Sequence, residues 1–257
     1  MTRRIARVPG SPAATLPQRA AQGFTLIEIA IVLVVMGLML SAAAAAYVNM
    51  FGANRSRLAG DSALASMSDA LVAFARTHNR LPCPDLDGSG NEGAAGACPA
   101  STEVGWYPYV ATGLTNPAPA ARAIYGVYRA AGADLVVASE LTGDVAGAST
   151  YADGGDFIRK LTAAASVPAT DTHIYTTGDG GPSGAENCAT NVVGNPAFVV
   201  VLPGDDRDGD GKNVDGIHNT MPASGHCFVA PTRPMDSHSD DRSTAIGFYA
   251  LAADLNR

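Results

Sequence analysis

Between Gln22 and Val48 the chain reads QGFTLIEIAIVLVVMGLMLSAAAAAYV, and this run limits what the rest can do. The 25 residues from Phe24 to Val48 contain one charged side chain, Glu28. As a helix, about 20 apolar residues span the hydrocarbon of a bilayer. The run is long enough to cross, and it exceeds the ~7–15-residue core of an ordinary secretory signal peptide. An ionised group inside hydrocarbon costs about 2.5–3.5 kcal/mol even on insertion scales, so Glu28 is by default a functional residue. Snorkelling of its carboxylate to the interface is the plainer alternative.

Charge fixes the orientation. Residues 1–23 hold four arginines (Arg3, Arg4, Arg7, Arg19) and no acid. Such a flank stays in the cytoplasm, which places everything after Val48 outside the inner membrane, in the periplasm or beyond. The whole 257-residue chain has 17 basic and 24 acidic residues, a net −7. With the basic leader set aside, the remainder is more acidic still. It offers no phosphate-neutralising patch, and no nucleic-acid partner is expected. A competing reading is a plain secreted domain released by a cut near the alanines at 42–46.

The stretch QGFTLIEIAIVLVVMGLML resembles the class III signal of type IV prepilins and type II secretion pseudopilins. The resemblance implies a leader, residues 1–23, removed by prepilin peptidase on the cytoplasmic side after Gly23, and N-methylation of the new terminus at Phe24. It implies assembly through the helix at 24–48 into a pseudopilus or a surface pilus, with other pilin or pseudopilin subunits and an inner-membrane assembly platform as partners. Glu28 would then lie one helical turn from the new amine, because i,i+4 neighbours are about 5–6 Å apart. In the family this glutamate is held to recruit the amine of a neighbouring subunit. The chain departs from many type IV pilins in lacking the proline often found a turn or two past Gly37; SAAAAA stands there instead. With its leader removed the chain is still long for a major pilin, which favours a minor subunit.

The helix is expected to continue as an amphipathic segment over residues 49–80. Leu64, Met67, Leu71 and Phe74 recur at helical spacing, with Asp61, Ser68, Asp69 and Arg76 between them. Asn79, Pro82 and Pro84 end the pattern, so one helix from Phe24 to Asn79 is predicted, with Gly37 and Gly52 as places for bending. From 81 to 257 the composition turns to glycine, proline and short apolar runs. AIYGVYRA (123–130), DLVVAS (134–139), HIYTT (173–177), AFVVVLP (197–203) and HCFVA (226–230) read as strands. DFIRKLTAAA (156–165) and IGFYALAADL (246–255) read as short helices. One long helix followed by short strands predicts an α+β fold, an antiparallel sheet laid on the helix. The resembled family has this shape too.

Four cysteines, Cys83, Cys98, Cys188 and Cys227, lie beyond the apolar run, without a CxxC pair or zinc-finger histidines. In an exported domain they read as two disulfides. Three connectivities exist, and sequence proximity favours Cys83–Cys98 with Cys188–Cys227. The loop DDRDGDGKNVDG (205–216) places Asp206, Asp208 and Asp210 at alternate positions before Gly211, like the opening of a calcium-binding EF-hand loop. Ile217 stands where the bidentate glutamate belongs, so Asp215 is the candidate substitute. A weaker echo occurs at Asp85, Asp87 and Ser89. Calcium is the one cofactor this suggests, against a plain acidic turn. Some major pseudopilins hold calcium in a loop near the C-terminus.

No catalytic fingerprint is present. There is no GxSxG, HExxH, P-loop or dinucleotide motif, and Ser183 in GGPSGA misses the nucleophile pattern. The histidines His78, His173, His218, His226 and His238 show no ligand spacing. Trp106, with Tyr107 and Tyr109, reads as core packing more than as a binding face. A structural subunit is therefore the primary expectation. A tip adhesin or binding module on the same anchor, using loops 101–116 or 205–221, is the alternative.

Overall fold

The computed structural model describes residues 25–100, 102–138, 153–177, 188, 192–207, 209–233 and 240–257, with the side chains of 49–56 excepted. The chain divides into two compact units, the first ending at Asn54 and the second beginning at Arg55. Helix α1 (Leu26–His78) contributes to both. Within the first unit, Leu26–Val48 is long and apolar enough to cross a membrane, and none of it is buried in the protein. The helical assignment runs without a break through Gly37 and Gly52, where bending was expected.

In the second unit, α1 supplies one wall of the core. Leu64, Met67, Leu71, Val72 and Ala75 point inward along one stripe. The helix stops at Asn79, whose φ of 52° is the left-handed conformation that asparagine tolerates past a helix end. Arg76 and His78 in the last turn complement the negative end of the helix dipole. Pro82 and Pro84 then keep the chain extended.

Opposite the helix lies a four-stranded sheet in the order β1 (Val104–Trp106), β2 (Ile124–Val127), β4 (Phe198–Leu202) and β6 (Arg242–Ile246), antiparallel throughout. β2 and β4 are central, and their apolar runs IYGV and FVVVL are buried on both faces, apart from half-buried Leu202. Tyr125 points towards α1: its hydroxyl donates to Pro82 O at 3.1 Å, and its ring meets Tyr107 edge-on. Tyr107 in turn donates to Met67 O of the helix at 2.8 Å. On the other face of β2, a Cβ at Gly126 would lie 2.9 Å from the Phe228 ring, so only glycine lets that ring close on the strand. Phe228 belongs to β5 (Cys227–Val229), which pairs with β3 (Tyr175–Thr177). The fold is α+β and pilin-like, with helix α1 on one side of the antiparallel sheet.

Helices α2 (Gly154–Ala165) and α3 (Phe248–Leu255) complete the unit. A capping box starts α2, with the Asp153 carboxylate accepting the Asp156 N–H and the Asp156 carboxylate accepting the Asp153 N–H. Phe157, Leu161 and Ala164 form its buried stripe.

Three sequence expectations need correction. DLVVAS is no strand over residues 134–138; it is a turn that buries Leu135 and Val136 and leaves Val137 exposed. The Asp134 carboxylate takes the Val136 N–H at 3.0 Å and a fork from Arg129, diverting the backbone from a ladder. Leu135 is buried all the same, so apolarity signalled burial without signalling a strand. Secondly, β3 and β5 are parallel, because β4 and a long excursion intervene between them and no hairpin joins them. Thirdly, β1 and β6 were not anticipated. β6 is RSTAI, half-buried at every position, as suits a strand at the edge of the sheet.

Candidate functional site

Thr25 precedes the first helical residue of α1, and its Oγ1 and carbonyl oxygen accept the Glu28 N–H at 3.4 and 3.0 Å. Thr25 is thus the N-cap and Glu28 the third helical residue, the spacing of a capping box. An acid here is favoured by the helix dipole, which lowers the cost of keeping it. Around it the helix presents only apolar side chains: Leu26, Ile27, Ile29, Ile31, Val32 and Leu33 are all exposed. A continuous apolar surface carrying one carboxylate at its start is suited to packing against like helices, with the charge setting register. Gly23 and Phe24, the positions at which processing is expected, lie outside the described residues.

The cysteines form two disulfides, Cys83–Cys98 and Cys188–Cys227, with Cα separations of 6.1 and 5.8 Å. The first closes the loop at 83–98 around buried Asp85. Asp85 accepts the N–H groups of Asp87, Gly88 and Gly90, so the echo of a calcium loop at Asp85, Asp87 and Ser89 is a self-closed turn. The Ser89 hydroxyl and amide hold the Asp87 carboxyl down at about 2.

The acidic loop at 205–216 is divided. Asp206 and Asp210 are exposed, and their carboxylates accept amides of the loop itself: Gly209, Asp210 and Gly211 donate to Asp206, and Lys212 to Asp210. Asp208 lies outside the described residues. Asp215 departs from this group. It is fully buried and converges with Asp240 and Asp241. Its Oδ1 accepts the Arg207 N–H at 3.1 Å, while its own N–H donates to Asp241 Oδ2 at 3.0 Å. Burial pushes the Asp215 carboxyl above the ordinary carboxylate range, with the charges of Asp241 and Asp240 adding to the rise and the Arg207 and Asp240 amides opposing it. The calcium pattern expected from Asp206, Asp208, Asp210 and Asp215 is therefore not the set that Asp215 joins. Asp240, Asp241, His218 and Arg207 were missed because their adjacency comes from β4 and β6 pairing, not from spacing along the chain.

The aromatic cluster is likewise split. Tyr107 and Tyr109 are core residues, whereas Trp106 is half-buried and lines a cleft of about 400 Å³ with Arg122, Pro203, Asn213 and Met221. Three of the described histidines have structural partners: His218 with Asp241, His173 with Glu103, and His78 stacked on Phe74.

Residues 18–44 match the family model described as the prokaryotic N-terminal methylation motif, the class III signal of type IV pilins and pseudopilins. No curated protein and no solved structure matches the chain. The motif covers Gly23, Phe24 and Glu28 and extends into the apolar half of α1. It supports a pilin-type substrate of prepilin peptidase, anchored by one N-terminal helix.

Proposed function

We propose that this protein is a structural subunit, not an enzyme, cut after Gly23, N-methylated at Phe24 and polymerised through α1. The product is a type II secretion pseudopilus or a type IV pilus, in which the chain is a minor subunit. Before assembly it is a single-pass inner-membrane protein with residues 81–257 in the periplasm. One observation carries the reading: a lone carboxylate, Glu28, near the start of the apolar span Leu26–Val48, none of which is buried in the protein, within a matched methylation motif.

The physical logic is charge pairing in a dry bundle. Cleavage creates an ammonium at Phe24, one turn from Glu28. Two opposite charges in a low-dielectric helix bundle are tolerable only when paired, and misregistered neighbours leave both bare. Helix packing then selects the axial stagger at which the amine of one subunit meets the carboxylate of another.

Gly23 admits the peptidase because it presents backbone without a side chain. Gly23→Val, expressed with the peptidase present, is expected to leave the full-length precursor in the membrane, read as an unshifted band beside the faster-migrating wild-type product. Normal maturation of that variant would remove the peptidase assignment.

A further inference from the structure

Asp215, Asp240 and Asp241 each bring a carboxylate oxygen to within 4.8 Å of the other two. Asp215 is fully buried, and the Asp240 and Asp241 side chains are 10% and 0% exposed. The positive charge against them is small. Arg207 Nε donates to Asp240 Oδ2 at 2.9 Å from a side chain that is nearly half exposed. His218 supplies none: its Nε2 accepts the Val229 N–H at 3.2 Å, which leaves the proton on Nδ1, donated to Asp241 Oδ2 at 2.9 Å. Among the described residues, the ion pair made by these three buried carboxylates is that of Arg207 with Asp240, an arrangement that repels itself unless something neutralises it.

A second observation locates the deficit. Among the described residues, no donor meets hydrogen-bond geometry at buried Asp215 Oδ2, although its sister oxygen takes the Arg207 amide. The remaining oxygens are held in place by protein donors: the Gly204 amide on Asp241 Oδ1 at 3.2 Å and the Asp205 amide on Asp240 Oδ1 at 3.0 Å, besides His218 and the Asp215 amide on Asp241 Oδ2. Oriented carboxylates with a neutral imidazole behind one of them are what surrounds bound metals.

We infer that Asp215, Asp240 and Asp241 bind a divalent cation of the calcium type, with Asp215 Oδ2 as a ligand. The donors are hard oxygens, and both nitrogens of His218 are engaged, which disfavours zinc or copper. Water and backbone carbonyls complete the shell, since calcium takes about 6–8 oxygens. The ion clamps three segments: the exit of β4 at Gly204 and Asp205, the end of the acidic loop, and the entry to β6. It is a different set from Asp206 and Asp210, and it does not depend on the chain being a filament subunit.

The test is thermal unfolding and calorimetric titration of the detergent-solubilised full chain with calcium chloride, against EGTA and against magnesium. At a calcium concentration about tenfold above the dissociation constant, Tm is expected to rise by ~4 °C. Asp215→Asn is expected to abolish the shift and Asp206→Asn to retain it; Asp240→Asn replaces the first variant should that one fail to fold. An unchanged wild-type Tm with no heat of binding overturns the site. A shift that survives in D215N or disappears in D206N moves binding to the loop and overturns it equally. An equal response to magnesium overturns the calcium assignment.

Discussion

Glu28→Ala is expected to abolish filaments while leaving the protein processed and inserted. Residues 26–48 remain an apolar span without the glutamate, and alanine is the better helix former, so the anchor survives. The loss of an acid from the first turn costs about 0.3–1 kcal/mol of helix–dipole energy, too little to unfold a helix of 53 residues. Assembly is another matter. Removing one member of a buried ion pair costs about 3–5 kcal/mol, because the partner amine is left bare, and ~3 kcal/mol lowers each association constant roughly 100-fold. Filament yield, counted by electron microscopy or by sedimentation of sheared surface material, should fall below detection. The membrane fraction should still contain mature-sized protein. Normal filaments from this variant would remove the role given to Glu28 and favour a carboxylate that merely reaches the interface.

Replacing Cys188 and Cys227 together by serine is expected to produce the larger stability loss of the two disulfides. The bridge closes a separation of 39 residues, against 15 for Cys83–Cys98. In the chain-entropy model the longer loop corresponds to about 4 kcal/mol and the shorter to about 3 kcal/mol. The bridge also secures β5 beside β3, and Phe228 of β5 is the ring that closes on Gly126 of the central sheet. Loss of the tether therefore reaches the core. For a domain of this size a Tm decrease of ~8–16 °C follows, measured by circular dichroism on folded protein. A decrease of only a degree or two would mean that the β3–β5 pair holds without its bridge.

Why some of this was readable from sequence and some was not has a physical basis. Leu64, Met67 and Leu71 announced a buried stripe through their spacing, and Asn79 with Pro82 announced where the helix had to end; both signals are local. β4 was legible for a similar reason, since FVVVL is a strand buried on both faces and needs no alternation. DLVVAS carried the same apolar signal but not the same outcome, because Arg129, five residues upstream, and the Val136 amide claimed the Asp134 carboxylate and turned the backbone out of a ladder. β6 is polar and half-exposed, and becomes a strand only because β4 offers it an edge. The acidic site shows the limit most clearly. Asp206, Asp208 and Asp210 stood out by spacing. The carboxylates that converge with Asp215 come from residues 240 and 241, which chain order does not bring near it.

For the N-terminal element the position is reversed: the motif at 18–44 was legible because its residues are contiguous, with Gly23, Phe24 and one acid, Glu28, along a single apolar stretch. The decisive measurement is the intact mass and N-terminal sequence of the membrane-extracted chain. A protein beginning at Phe24 and carrying one added methyl group is the expected result, and it places the amine one turn from Glu28. A chain beginning near Tyr47, or an uncut Met1, would contradict it, leaving an exported or anchored acidic domain with no amine to pair.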